Sequence, residues 1–214
     1  FIGERLILTL LAVIFFCISL WFLAMPVIFP EEFREFHRPF LGMTVGGWFA
    51  LSFAAAGVFD LALQFVYGRL IADNRPYPVV FRFINAFVEI SVISLAVFMT
   101  AKVYQPVYAL FVHIVFFYFI FIFLQAFRLD FVLCLFAGMV AAVEYWILSV
   151  LLTGGAPAAA GENPVLVSTV QHLARSVILL LGGLVAGFIS WQIRKRLSSA
   201  YRFLQEKERI LDLF

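Results

Sequence analysis

Six apolar stretches, each about 20 residues long, constrain the fold of this chain more than any other feature. They occupy residues 6–29, 44–67, 80–100, 106–127, 131–152 and 174–193. A helix needs about 20 predominantly apolar residues to cross a bilayer, and hydrocarbon offers no hydrogen-bond partner to an open backbone. Each stretch therefore has to satisfy its own backbone as a helix. The sequence predicts an all-α polytopic membrane protein with six transmembrane helices.

Composition agrees with a membrane location. Of 214 residues, 64% are hydrophobic, 13% are charged and 28 are Phe, which is more apolar than a soluble chain of this size. The Phe-rich fourth stretch suits lipid contact, with a cavity for a lipid or quinone-like molecule as the alternative. The net charge of +2 gives no electrostatic reason to expect a nucleic-acid partner. Cys17 and Cys134 lie within apolar stretches, so neither a disulfide nor a cysteine-based metal site is expected.

Lysine and arginine residues between the stretches indicate the orientation, because cytoplasmic loops carry the excess of these residues. With a cytoplasmic N-terminus, the inner side carries Arg5, Arg69, Arg75, Arg82, Arg128, Arg194, Lys195 and Arg196, and the outer side carries Arg34, Arg38, Lys102 and Arg175. We therefore predict a bacterial inner-membrane protein with both termini in the cytoplasm. Residues 1–193 form the transmembrane module, and residues 194–214 form a cytoplasmic signalling helix.

Four ionisable residues lie inside the apolar stretches, where a charge is costly and is often functional. Counting from the turns between helices places His113 and Glu144 at one depth in the outer half, and Asp60 and Glu89 at one depth in the inner half. We predict that His113 pairs with Glu144. In the second pair, either one carboxyl is protonated or Arg82 compensates the charge. All four are candidates for ligand sensing or switching, with interhelical packing as the structural alternative.

Histidines raise the question of a cofactor. His37, His113 and His172 all fall on the predicted outer side, and together with Glu144 they are candidates for a metal or haem site. Their spacing matches no metal or haem motif, so solvated loop histidines are the expectation, and no cofactor is expected in this segment. The sequence also contains no nucleophile-elbow, Walker or dinucleotide-binding motif. We therefore do not expect the segment to be an enzyme by itself.

The charged tail after the sixth stretch, QIRKRLSSAYRFLQEKERILDLF, contains no helix breaker. Three basic residues at its start, Arg194, Lys195 and Arg196, are expected to anchor it at an anionic membrane surface. An apolar stripe follows with alternating spacings of four and three, and it consists of Leu197, Tyr201, Leu204 and Leu211, interrupted by Glu208 and widened by Phe203, Ile210 and Phe214. Such a stripe needs a partner, and the simplest one is the same helix of a second copy in a parallel coiled coil. A free amphipathic tail on the membrane surface is the alternative.

Several segments resemble one known family. The tail YRFLQEKERILDLF is similar to the linker before the catalytic domain of bacterial membrane-anchored class III adenylate/guanylate cyclases. The interior segments RFINAFVEISV, QPVYALF, YFIFIFLQAFRLDFVLCLFAGMVAAVEY and LLGGLVAGFISWQIRKRL resemble the six-helix membrane module of that group. The resemblance covers most of the chain from about residue 68 onward.

The resemblance implies a homodimeric anchor and receptor module, which passes a membrane or periplasmic signal through its exit helix. A passive dimerising anchor is the alternative. The cyclic nucleotide, cAMP or cGMP, is then made by a catalytic domain that we expect after residue 214, and a divalent metal is expected only in that domain. A lipophilic or periplasmic small molecule is a candidate ligand.

Other functional classes remain open alternatives. One is a haem- or metal-binding module that senses redox state, and another is the sensor module of a different signalling output. A third is a small transporter or channel that uses Asp60, Glu89 and Glu144 as pathway residues. The sequence shows no internal repeat of the kind found in many transporters, and its exit helix does not suit a pore.

Overall fold

The structure is a computed structural model, and it describes residues 2–31, 33–73, 78–103, 109–111, 114–154 and 168–211. At residues 2–4, 35, 114 and 208–211 it describes the backbone alone. Within these ranges the chain forms six α-helices: α1 (Ile2–Ile28), α2 (Val45–Ala72), α3 (Val79–Val103), α4 (Ile114–Gln125), α5 (Phe131–Gly154) and α6 (Thr169–Leu211).

The predicted all-helical, membrane-length architecture is confirmed for most of the chain. In the described residues five helices, α1, α2, α3, α5 and α6, are long and apolar enough to cross a membrane. The fourth apolar stretch is described as an α-helix only over Ile114–Gln125. Twelve residues rise about 18 Å, which is less than the hydrocarbon thickness. The described part of this stretch therefore does not establish a sixth span.

Local sequence signals explain where the helices begin and end. The Thr44 side chain accepts a hydrogen bond from the backbone N–H of Gly47 at 3.1 Å and so caps the start of α2. A 3₁₀ turn, Ala126–Arg128, follows α4 and ends at Leu129, which has a left-handed φ of 54°. Asp130 then accepts a bond from Val132 N at 3.0 Å at the start of α5. This tight connection makes α4 and α5 antiparallel neighbours.

A short hairpin lies between α1 and α2. Pro39–Phe40 pairs with Met43–Thr44 in antiparallel fashion, and the two linking residues both have positive φ. The indole N–H of Trp48 donates to the Phe40 carbonyl at 2.8 Å and ties this hairpin to α2.

Aromatic and aliphatic side chains fill the centre of the bundle. Phe15 of α1 stacks on Phe121 of α4 with ring centroids 5.0 Å apart, and Ile90 of α3 is fully buried beside them in the same cluster. The outer surface is also apolar, since Leu6 and Phe116 expose more than 60% of their area. An apolar exterior of this extent suits contact with lipid better than contact with water.

Helices α5 and α6 approach each other very closely at a pair of glycines. A Cβ built on Gly138 would lie 2.6 Å from the Gly183 Cα, and one built on Gly183 would lie 2.7 Å from the Gly138 Cα and 2.8 Å from the Cys134 carbonyl. The backbones therefore touch at this crossing. Small residues allow such contact, which replaces the hydrophobic effect as a packing force where lipid is the solvent.

Helix α6 continues far beyond the bundle. Ser190 is its last buried residue, and every side chain at residues 191–207 is exposed. The helix is unbroken through Leu211, so about 30 Å of it projects past the turn between α4 and α5.

We predict that Gly183→Ala destabilises the bundle by about 1–3 kcal/mol, because the new methyl group meets backbone atoms that no rotamer change can move. Thermal unfolding in detergent measures the effect. Gly154→Ala is the matched control, since nothing lies within 4 Å of a Cβ built at that position. An equal melting temperature for wild type and Gly183→Ala would contradict the close contact.

Candidate functional site

Glu89 of α3 is the centre of a buried polar cluster. Its carboxylate accepts hydrogen bonds from the side-chain amides of Asn85 and Gln125 and from Arg128 Nη2 at 2.5 Å. The side chains of Glu89 and Arg128 are each only 1% exposed. The donors come from α3, from the last residue of α4 and from the following 3₁₀ turn. This cluster therefore fixes α3 against the turn between α4 and α5.

Asp60 of α2 belongs to the same electrostatic environment. It is 1% exposed, and it interacts with the charges of Glu89 and Arg128. Neither of its carboxyl oxygens has a hydrogen-bond partner in the described part of the chain. Asp60 and Glu89 thus interact electrostatically. The residues that donate hydrogen bonds to Glu89 donate none to Asp60.

The predicted compensation of this cluster by Arg82 is wrong. Arg82 pairs with Asp130 at 3.8 Å, in a position where both side chains are more than a quarter exposed. Arg128 takes the role instead, because the 3₁₀ turn directs it back into the bundle and toward Glu89. Arg82 lies two turns before Glu89 on α3, which favours it as the compensating cation. The turn that directs Arg128 toward Glu89 has no simple sequence signal.

Glu144 of α5 is held by a second polar cluster. Ser91 of α3 donates to it at 2.6 Å, and Ser94 of α3 also donates to it. The Ser94 hydroxyl also lies 2.7 Å from the buried hydroxyl of Tyr118 on α4. His113, its predicted partner, lies outside the described residues. The two serine hydroxyl groups already give Glu144 two donors, and the contact of Ser94 with Tyr118 extends the cluster from α3 and α5 to α4.

A third cluster connects α5 to the start of α6. The Tyr145 hydroxyl lies 3.2 Å from His172 Nδ1 and 3.4 Å from Arg175 Nη1. Arg175 also donates to the Leu110 carbonyl at 2.9 Å, and its guanidinium stacks 3.8 Å above the Phe111 ring. These contacts fix the first turns of α6 against its neighbours.

His37 and His172 lie in the described residues, and both are predicted to be solvated loop histidines. The expectation is wrong for His172, because this residue lies in α6, is 1% exposed and packs edge-on against Phe111. The sixth apolar stretch predicts a helix from residue 174, but α6 begins at Thr169 and therefore includes His172. His37 is exposed and lies 3.3 Å from the Phe33 carbonyl.

No group of three or more His, Cys, Asp or Glu side chains within the described ranges has the arrangement of a metal site. Cys17 is exposed and Cys134 is buried, and both are free thiols.

A cavity of about 370 Å³ lies beside the third cluster. Its wall is formed by apolar side chains of α4 and α6 and by Leu110 and Phe111, which precede α4, with Arg175 as the charged group. The lining residues include Phe111, Val115, Phe119 and Leu179. Apolar walls with a single cation are typical of a space that accepts an amphiphilic molecule.

The candidate output surface lies on the projecting part of α6. Leu197, Tyr201 and Leu204 expose 45%, 68% and 57% of their area, and Arg194, Lys195 and Arg196 are exposed beside them. Lys195 Nζ lies 5.5 Å from the Trp191 ring. For Ile210 and Leu211 the helical backbone is described without the side chain, and Phe214 lies outside the described residues.

Several members of these clusters carry a sequence signal although they are not charged. Asn85, Gln125, Ser94 and Tyr118 were not singled out, although an amide inside an apolar stretch is itself a signal, since hydrocarbon gives it no partner. Searching the stretches for every polar side chain, and not for ionisable ones alone, would have found Asn85 and Gln125.

No protein-family model, no curated protein and no solved structure matches this chain. The resemblance to cyclase membrane modules therefore depends on the quoted sequence segments alone.

We predict that Arg128→Gln destabilises the chain more than Glu89→Gln does. Removing one partner of a buried ion pair costs about 3–5 kcal/mol. Loss of Glu89 leaves Arg128 near Asp60, whereas loss of Arg128 leaves two carboxyl groups without a cation. Unfolding of the purified variants in denaturant measures the difference.

Arg82→Gln is the control for this comparison, because it removes a partly exposed pair, for which about 0–1 kcal/mol is typical. If all three variants lost the same stability, the Glu89 cluster would not be an electrostatic centre of the bundle.

Proposed function

We propose that this chain is the membrane anchor and receptor module of a homodimeric class III nucleotide cyclase, and that α6 is its output element. One observation carries the proposal. A single helix of 43 residues is bound tightly within the bundle over its first half and carries an exposed apolar stripe over its second half.

The first half of α6 is well placed to receive a change in the bundle. It is held by the Tyr145–His172 contact at one level and by the Gly138–Gly183 backbone contact at another. A helix with intact hydrogen bonds bends only slightly, so a shift or rotation at these contacts carries over into the projecting half. Reception at the Arg175 cavity or at the Glu144 cluster would in this way reach the tail.

The second half of α6 supports dimerisation. Leu197, Tyr201 and Leu204 are too exposed for a helix that stays alone in water. A second copy on a twofold axis covers the same stripe on both helices and gives a parallel coiled coil. Two heptads are short, so the bundle and the downstream domain have to contribute to the stability of the dimer.

The orientation follows from the same helix. We propose six membrane crossings with both termini in the cytoplasm, because Arg194, Lys195 and Arg196 follow the last apolar turn directly. Trp191, beside Lys195, suits the boundary between lipid and water. The outer end of the bundle would then present the Arg175 cavity to the periplasmic leaflet.

The enzymatic output rests on the resemblance to cyclases. In that class two catalytic domains form their active sites at a common interface, so the relative position of two exit helices would control activity. A ligand has this effect only if it binds two arrangements of the bundle with different affinities.

We predict that Leu204→Cys, in a chain with Cys17→Ala and Cys134→Ser, forms a disulfide between copies in membranes under mild oxidation. Arg202→Cys is the matched control, since no residue of the stripe lies three, four or seven positions away from residue 202. Non-reducing gel electrophoresis measures the dimer. Equal crosslinking at both positions would argue against a defined seam.

We also predict that one residue inserted after Ser199 changes the basal cyclase activity of the full-length protein more than seven inserted residues do. One residue rotates the stripe by about 100°, whereas seven nearly restore its phase. Cyclic nucleotide formation in membranes measures the result. Equal effects would contradict control by register, and an intact protein without cyclase activity would favour another output domain.

A further inference from the structure

The cluster formed by Asp60, Asn85, Glu89, Gln125 and Arg128 has an unbalanced charge. It contains two carboxyl groups and one guanidinium, so its fully ionised form carries one negative charge. The neighbouring Arg82–Asp130 pair is neutral by itself. Four members of the cluster are at most 1% exposed, namely Asp60, Asn85, Glu89 and Gln125. Water therefore does not reach the cluster to offset the charge, and an uncompensated buried charge is very costly.

The same cluster contains unpaired acceptor oxygens. Both carboxyl oxygens of Asp60, Oδ1 of Asn85 and Oε1 of Gln125 have no donor among the described residues. Such atoms are rare in folded proteins, because each one loses its hydration without a replacement.

The bonds to Glu89 explain why these oxygens are unpaired. Asn85 and Gln125 both direct their amide N–H groups at the Glu89 carboxylate. Their amide oxygens are consequently turned away from it. Arg128 is bonded to Glu89 as well, and it leaves the Asp60 oxygens unbonded. Glu89 thus takes the two amide N–H groups and Arg128 Nη2, and four acceptor oxygens of the cluster are left without a donor among the described residues.

We propose that this cluster binds one sodium ion, with Asp60 as the charged ligand and the amide oxygens of Asn85 and Gln125 as neutral candidates. A proton on Asp60 would balance the charge but would supply a single donor to four oxygens. Water would supply donors but no charge, so a proton and water would both be needed to do what one cation does. A divalent cation would leave an excess positive charge beside Arg128. A hard monovalent cation with oxygen ligands meets both requirements.

Such an ion would join three elements of the bundle. Asp60 lies on α2, Asn85 on α3, and Gln125 at the end of α4. Sodium would therefore stabilise the packing of α2 against the other two helices, independently of the output through α6.

Two measurements on the full chain in nanodiscs test the site. Binding of radioactive sodium should saturate at about one ion per chain. At constant ionic strength, replacing choline chloride by sodium chloride should raise the melting temperature by a few degrees for each tenfold increase above the dissociation constant.

Asp60→Asn should abolish both effects, because it removes the negative charge that the ion balances. Glu144→Gln is the matched control, since it removes another carboxylate of the bundle interior and should leave sodium binding unchanged. Absence of saturable binding to the wild-type protein overturns the proposal, whether or not Asp60→Asn folds. An equal thermal response in wild type and Asp60→Asn also overturns it, since it indicates a general salt effect.

Discussion

Glu89 has to find its hydrogen-bond donors inside the bundle, because the apolar exterior of this chain excludes water from it. Much of the packing follows from that constraint. The carboxylate binds Gln125, at the end of α4, and Arg128, in the following 3₁₀ turn, and so holds both against α3. The position of this turn determines where α5 begins. Asp60 of α2 interacts with the charges of Glu89 and Arg128, so α2 also contributes to this cluster. A single buried group thus organises the junction of four helices, which apolar contacts alone would leave free to slide.

The sequence predicts which segments are helical, but it does not predict which face of each helix turns toward the centre of the bundle. Apolar length predicted α1, α2, α3 and α5 to within a few residues, because length and hydropathy are local properties. The partner of Glu89 depends on which face of each helix turns inward and on a 3₁₀ turn, and neither is local. His172 shows the same limit: it precedes the sixth apolar stretch and is predicted to be a solvated loop residue, whereas it lies in α6 in contact with Tyr145 and Phe111.

Two kinds of contact hold α6, and they differ in how they respond to change. Hydrogen bonds to His172 and Arg175 can be broken and remade by a bound molecule or a change of side-chain rotamer. The backbone contact at Gly138 and Gly183 has no side chain that could move. The helix therefore has an adjustable point near its beginning and a fixed point in its middle. An exposed stripe follows after the last buried residue, Ser190.

If α6 tilted about its backbone contact at Gly183, the two parts of the helix would move by different amounts. The segment of α6 from His172 to Gly183 spans eleven residues, or about 16 Å, and the segment from Gly183 to Leu211 spans 28 residues, or about 42 Å. A tilt that moves His172 by about 1 Å would move the far end by about 2.5 Å in the opposite direction. A displacement too small to disturb the packing of the bundle would then be large at the end of the helix.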